Sequence, residues 1–105
     1  MQDNISKHIP PKVVKVLKNL LKELVKWNPK KVILFGSLAR GDFGKHFDID
    51  LAVELNLPFR QRRKLKEKLD QIAGIYTVDL VFLNEVEKKF KEKLLKEGVI
   101  LYEKK

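Results

Sequence analysis

Apolar residues recur along the chain at two spacings, and each spacing predicts a different kind of element. Recurrence every three or four positions predicts three amphipathic helices: one starting at Pro10 and Pro11, one after Pro58 and one ending before Gly98. Short apolar runs predict four strands, at 32–35, 48–53, 76–83 and 99–102. The order helix, strand, strand, helix, strand, helix, strand indicates an α/β (α+β) fold, in which helices pack on a small mixed sheet of about four strands.

Local signals predict where several of these elements begin and end. Asn28-Pro29 is expected to end the first helix, and Gly98 is expected to end the last one. Asn84 lies three residues before Glu87, which predicts a helix N-cap with a reciprocal partner.

The composition restricts the class of protein. A chain of 105 residues can bury one core, so we expect a single domain over 1–105, with residues 1–9 forming a flexible leader. There is no cysteine, which excludes a disulfide framework, thiol catalysis and a zinc ribbon. No apolar run has the form of a signal peptide or approaches the length of a membrane span, so we expect a cytoplasmic protein without a membrane partner.

The chain is strongly basic, with 23 Lys and Arg against 14 Asp and Glu and a net charge of +9. Such a balance favours anionic partners, among them a nucleotide, RNA or an acidic protein. The lysines alternate with glutamates along the predicted helices, however, and this pattern is typical of a solvated surface and of proteins from thermophiles. The densest basic cluster follows Pro58, and we interpret it either as a solvated helix face or as a surface that binds RNA or a partner protein. It consists of Arg60, Arg62, Arg63, Lys64, Lys66 and Lys68.

The candidate chemistry lies in the stretch 32–53. Its first strand runs into Gly36-Ser37, where glycine lets the backbone approach a ligand, and a helical turn after it would direct free N–H groups toward a phosphate. Side chains alternate along the second strand, so Asp48 and Asp50 point to one face and the apolar residues between and after them point to the other. Two carboxylates therefore share one face.

A third carboxylate belongs to the run 76–83, where Asp79 stands between two apolar neighbours and has no packing role. If this strand lies beside the one that carries Asp48 and Asp50, three carboxylates converge, and they resist joint ionisation unless a cation neutralises them. Mg²⁺ takes oxygen ligands and often bridges to phosphates. The pattern predicts a phosphate-binding turn beside a site for two Mg²⁺ ions about 3.5–4 Å apart, as phosphoryl-type transfer requires.

The segment GSLARGDFGKHFDID at 36–50 resembles the GSx10DxD signature of nucleotidyltransferases in the DNA polymerase beta superfamily. Its opening GSLARG, together with Asp79 on a later strand, resembles the minimal nucleotidyltransferase group, which includes MntA-type antitoxins paired with HEPN toxins. The resemblance spans nearly the whole chain. It departs at Phe47, since the position before the first aspartate is often Ser or another small polar residue in such families.

The resemblance implies a nucleotidyltransferase fold and a specific reaction, the transfer of AMP from ATP to an acceptor hydroxyl. Asp48, Asp50 and Asp79 would be the catalytic and metal-binding residues and would hold two Mg²⁺ ions, while Gly36 and Ser37 would bind the triphosphate. In an MntA-like antitoxin the acceptor would be a tyrosine hydroxyl of a HEPN-type ribonuclease, silenced by AMPylation. The expected assembly is then a hetero-oligomer with that toxin, or a homo-oligomer.

Three further residues near the signature are weaker candidates. Arg40 is expected either to bind the triphosphate or to pair with Asp42, and the sequence does not separate these roles. Lys45 and His46 lie within reach of a phosphate, but a single loop histidine more often has no role in a site, so His46 is left out of the predicted one.

Two other functions remain open. One is a non-catalytic antitoxin that binds its partner sterically and keeps the carboxylates as a relic. The other is a nucleotidyltransferase that acts on a small molecule or on an RNA end.

Overall fold

The computed structural model describes residues 9–105 of the chain. The order of elements predicted from the apolar spacing is confirmed, with a short helix added at the turn after β1. The elements are α1 (Pro11–Val25), β1 (Lys31–Phe35), α2 (Gly36–Arg40), β2 (Asp48–Glu54), α3 (Phe59–Ala73), β3 (Thr77–Phe82), a 3₁₀ turn (Leu83–Glu85), α4 (Lys88–Glu97) and β4 (Val99–Glu103).

The four strands form one mixed sheet in the order β3-β2-β1-β4. Strand β1 pairs antiparallel with both β2 and β4. Strands β2 and β3 are parallel, and the crossover between them contains α3. The small mixed sheet predicted from the sequence is confirmed, and β3 and β4 are its edges.

Helices cover both faces of this sheet. The main core lies on the face covered by α1 and α3, where Leu17, Leu65 and Leu69 pack with Ile49 and Leu51 of β2, all of them buried. A smaller cluster lies on the opposite face beneath α4, and it contains Ile33, Ala52, Leu83 and Leu94. Because side chains alternate along a strand, the even-numbered residues of β2 face the α4 side.

Gly98 joins α4 to β4 where the helix passes close to the sheet. A methyl group on Gly98 would overlap the side chain of Ile33 and the carbonyl oxygen of Leu94. The predicted end of the last helix is confirmed at Glu97, and the physical reason for glycine here is this close approach.

The predicted N-cap at Asn84 is wrong. Leu83 is buried and opens a 3₁₀ turn that includes Asn84, and α4 begins only at Lys88. The Glu85 carboxylate instead accepts two hydrogen bonds from the guanidinium of Arg62 in α3. The buried Leu83 and this tertiary ion pair hold the turn in place of the local cap.

The predicted end of the first helix at Asn28-Pro29 also differs from the structure. Helix α1 ends at Val25, and Asn28 takes a positive φ of 61° in the turn that follows. The predicted leader over 1–9 lies outside the described residues except for Ile9, which is buried in the core with 4% of its surface exposed. No helix within 9–105 is both long and apolar enough to cross a bilayer.

Candidate active site

The parallel pairing of β2 with β3 brings the predicted carboxylates together. Asp50 lies directly opposite Asp79, and Asp48 lies opposite Thr77 at the start of both strands. Asp50 is half-buried, whereas Asp48 and Asp79 are exposed. All three residues stand on the sheet face that α4 covers in part, because each alternates with a residue of the main core.

Gly36 closes this site from the side of β1. Its φ is +77°, a conformation that residues with a Cβ rarely adopt, and a Cβ there would overlap the Asp50 carboxylate. Phe35, the last residue of β1, is the register partner of Asp50. Glycine at position 36 therefore lets the turn into α2 pass directly against the carboxylate.

The electrostatics of the site centre on Asp50. The pKa of Asp50 is raised from 3.8 to about 6, first by burial and then by the negative charges of Asp79 and Asp48, while Arg40 opposes the rise. The site therefore carries more negative charge than its own side chains balance.

The carboxylates have the donor chemistry of an Mg²⁺ site, because every atom that they offer to a cation is a hard oxygen. Among residues 9–105, however, no three His, Cys, Asp or Glu side chains are gathered closely enough to hold a metal ion as they stand. Cation binding here therefore requires side-chain rotation, which the exposed Asp48 and Asp79 allow. The residues fit the ion by charge and donor type, and the rotamers are not pre-set for it.

A cavity of about 650 Å³ opens beside these carboxylates. This volume lies in the range typical of sites for small molecules and cofactors. Its wall offers three hydroxyl groups, a lysine, a histidine, two carboxylates and the aromatic rings of Phe47 and Tyr76. The lining residues are Ser37, Lys45, His46, Phe47, Asp48, Asp50, Ile75, Tyr76 and Thr77.

Arg40 does not line this cavity. Its guanidinium donates a hydrogen bond of 3.0 Å to Asp42, which is one of the two roles weighed from the sequence. Arg40 also borders a separate groove of about 220 Å³ with Phe35, Phe90 and Glu97. In this conformation the basic side chains that face the cavity belong to the loop before β2.

The sequence reasoning missed two features of the cavity. His46, which the sequence does not mark as a site residue, lines the cavity next to the carboxylates. The rings of Phe47 and Tyr76 stack, with centroids 5.6 Å apart and an interplanar angle of 23°, and Phe43 packs edge-on against Phe47. The available signal was Phe47 itself, a large apolar residue where a small polar one is usual.

Comparison with known proteins agrees with this geometry. The chain matches the family described as polymerase beta nucleotidyltransferase over residues 15–105. Two proteins of Methanocaldococcus jannaschii named as candidate protein adenylyltransferases are similar to it. One is 33% identical over 96 residues, which is 87% of this chain and 96% of the relative. The other is 36% identical over 87 residues, which is 79% of this chain and 84% of the relative.

Solved structures with the same fold include toxin–antitoxin complexes. A toxin–antitoxin crystal structure with AMP-PNP matches with a TM-score of 0.70 and 29% identity, over 84% of this chain and 73% of that one. A complex of a tri-AMPylated HEPN toxin with its MNT antitoxin from Shewanella oneidensis matches with a TM-score of 0.64 and 28% identity, over 85% and 71% of the two chains. The predicted resemblance to minimal nucleotidyltransferases and MntA antitoxins is thus confirmed. A family match that includes the Gly36 turn, the β2 carboxylates and Asp79 leads to one conclusion: the chain belongs to the polymerase beta family of nucleotidyltransferases.

Proposed function

We propose that this protein transfers AMP from ATP to a hydroxyl group of a partner protein, and that the partner is a HEPN-type ribonuclease toxin. The observation that carries the proposal is the register of β2 and β3, which sets Asp50 against Asp79 beside the Gly36 turn and the 650 Å³ cavity. Ser37, Asp48 and Asp50 thus line one cavity large enough for a nucleotide, and Gly36 and Asp79 lie against Asp50 outside its lining.

The relatives support the nature of the acceptor. Two of them are named as candidate protein adenylyltransferases, and each is matched over at least 84% of its length. The Shewanella oneidensis relative is an antitoxin in complex with a toxin that carries three AMP groups. These similarities support a protein as the acceptor of AMP.

Asp48, Asp50 and Asp79 are the residues that would hold Mg²⁺. When bound, two such ions supply charge neutralisation at the leaving pyrophosphate and lower the pKa of the acceptor hydroxyl. The charge at Asp50 supports this assignment, because the carboxylate ionises with difficulty in the protein alone and a cation would relieve that cost.

The chain's own groups orient the reactants. Ser37 lines the cavity and offers a hydroxyl to a phosphate oxygen, and Gly36 keeps the turn close enough to the carboxylates for that contact. Lys45 and His46 border the same cavity, where the cationic lysine offsets the charge of the polyphosphate. In the transfer itself the acceptor oxygen bonds to the α-phosphorus, the bond to the pyrophosphate oxygen breaks, and the hydroxyl proton passes to solvent.

The experiment that tests this proposal compares two ATP analogues with the HEPN-type partner as acceptor. AMP transfer breaks the bond between the α-phosphorus and the bridging oxygen. An analogue with a methylene group between the α- and β-phosphorus should therefore be inert, whereas AMP-PNP, altered only between β and γ, should still donate AMP. Labelled ATP should leave its α-phosphate, and not its γ-phosphate, on the partner.

Two results would overturn the proposal. Transfer of the γ-phosphate would make the protein a kinase. Partner inhibition that persists without ATP, and equally in an Asp79→Asn variant, would make it a steric antitoxin.

A further inference from the structure

An apolar hollow of about 540 Å³ lies at the β3 edge of the sheet, on the face opposite the one that carries the carboxylates. We call it the α3–β3 surface and define it by Phe59, Arg60, Arg62, Arg63, Leu80 and Phe82. Phe59, at the first turn of α3, has 86% of its surface exposed. The Cζ atom of Arg62 lies over the Phe82 ring, 4.4 Å from the ring centroid, and both side chains line the hollow.

The strand that borders this hollow is open along one side. Strand β3 ends the sheet, so the backbone groups on its outer side have no strand partner within the described residues. Its sequence, TVDLVF, contains neither the lysine nor the proline that often protects such an edge. An exposed aromatic residue beside an open strand favours a protein as the occupant.

The charges around the hollow argue against nucleic acid. Arg62 pairs with Glu85, Arg63 lies 3.5 Å from Glu67, and Lys66 lies 2.6 Å from Asp70. Nucleic-acid binding depends on basic residues that are free to replace the counterions of several phosphates. Lys68 lies 3.9 Å from Glu23, so four of the six basic residues predicted as a cluster are already offset by neighbouring carboxylates.

Arg60 differs from these neighbours. Within residues 9–105 no carboxylate lies at ion-pair distance from it, so it offers an unbalanced positive charge beside the exposed Phe59. A second copy of this chain would bring the same cation and another net charge of +9 to the contact, which is unfavourable. A partner segment in which a carboxylate stands next to an apolar side chain would complement Arg60 and Phe59.

We propose that the α3–β3 surface docks an acidic, apolar segment of the partner protein that receives AMP. The link to the acceptor rests on the proposed function, whereas the docking itself does not. Leu80 of the hollow directly follows Asp79 along β3, and their side chains point to opposite faces of the same edge. A partner held on this edge therefore stands next to the active-site carboxylate.

Binding to two defined polymers tests the surface without ATP or Mg²⁺. The probes are a random copolymer of glutamate and tyrosine, which is acidic and aromatic, and a single-stranded oligouridylate. Phe59→Ser and Arg60→Glu should each weaken binding of the copolymer about tenfold. The matched controls are Leu95→Ser, another exposed apolar residue, and Lys15→Glu on α1, and both should change it by less than about twofold.

Several results would overturn the docking proposal. Equal effects of the test and control variants would show that the α3–β3 surface does not bind the copolymer. Oligouridylate binding that is tighter than copolymer binding and is lost in the same two variants would make the surface a nucleic-acid site. Sedimentation of the protein alone as a dimer that Phe59→Ser dissociates would assign the surface to a second copy.

The two proposals fail separately. If AMP transfer is absent but the copolymer still binds through Phe59 and Arg60, the docking surface stands and the proposed function falls. If transfer proceeds and Phe59→Ser leaves the KM for the partner protein unchanged, the surface falls and the activity stands. If the proposal is right, Phe59→Ser should raise the KM for the partner about tenfold and leave ATP affinity unchanged.

Discussion

Replacing Asp50 by asparagine should make the metal-free protein more stable at neutral pH while removing its activity. The half-buried Asp50 carboxylate lies against the Gly36 turn and opposite Asp79, and its pKa is raised from 3.8 to about 6. Between these two values the folded chain keeps a proton that the unfolded chain releases. The free energy of unfolding therefore falls as the pH rises through this window.

The magnitude follows from the same pKa. A rise from 3.8 to about 6, at about 1.4 kcal/mol per pKa unit, sets an upper limit of about 3 kcal/mol on the cost of ionised Asp50. The side chain is only half-buried, so solvent screening reduces this cost to about 1–2 kcal/mol. For a domain of this size such a gain raises Tm by about 5–10 °C.

The assay is thermal unfolding of both proteins in EDTA from pH 4 to pH 8. Asp50→Asn should come closest to wild type near pH 4, where folded Asp50 is protonated and the unfolded chain has released only about half of that proton, and should gain its full advantage above about pH 6. Asp70→Asn, an exposed residue of α3 paired with Lys66, is the matched control and should stay within about 0.5 kcal/mol of wild type throughout. A variant that is less stable than wild type at pH 7.5, or a difference that does not change with pH, would refute the reasoning.

Three further predictions follow from the site. Addition of Mg²⁺ in calorimetry should raise the Tm of wild type but not that of Asp50→Asn; an equal rise in both would place the cation elsewhere. Gly36→Ala should lower Tm, because the positive φ costs about 1–2 kcal/mol, and should cut transfer about 100-fold by displacing Asp50; full activity would contradict the role of the turn. Lys45→Ala should weaken ATP binding about tenfold in titration calorimetry, whereas Lys15→Ala should not; equal affinities would remove Lys45 from the phosphate site.

The sequence was most informative where local rules decide the structure. Alternation along β2 is enough to put Asp48 and Asp50 on one face, and a glycine followed by serine at a strand end is enough to predict the turn into α2. The same rules predict the order of helices and strands along the chain. These features depend on neighbours only a few positions away.

The features that were missed depend on contacts between distant segments. The predicted cap at Asn84 failed because Arg62, 23 positions before Glu85, binds the Glu85 carboxylate. Tyr76 became part of the cavity wall because the β2–β3 register brings the start of β3 beside Phe47. A single sequence contains the residues of such pairs but does not give their distance.

The direction of a side chain was equally hard to predict. Arg40 had two possible roles, and the choice between them depends on how α2 ends and where the following loop places Asp42. The structure selects the ion pair with Asp42 at 3.0 Å. A role for Arg40 at the triphosphate therefore stays a prediction and requires that pair to open.

Intact mass spectrometry of the proposed HEPN-type partner tests the central claim most directly. The partner is incubated with this protein, ATP and Mg²⁺, in parallel with an Asp79→Asn variant whose fold is checked by circular dichroism. We predict that the mass of the partner increases in AMP-sized steps with wild type and stays unchanged with the variant. An unchanged partner mass with the wild-type protein, in a stable complex and with ATP intact, would contradict it.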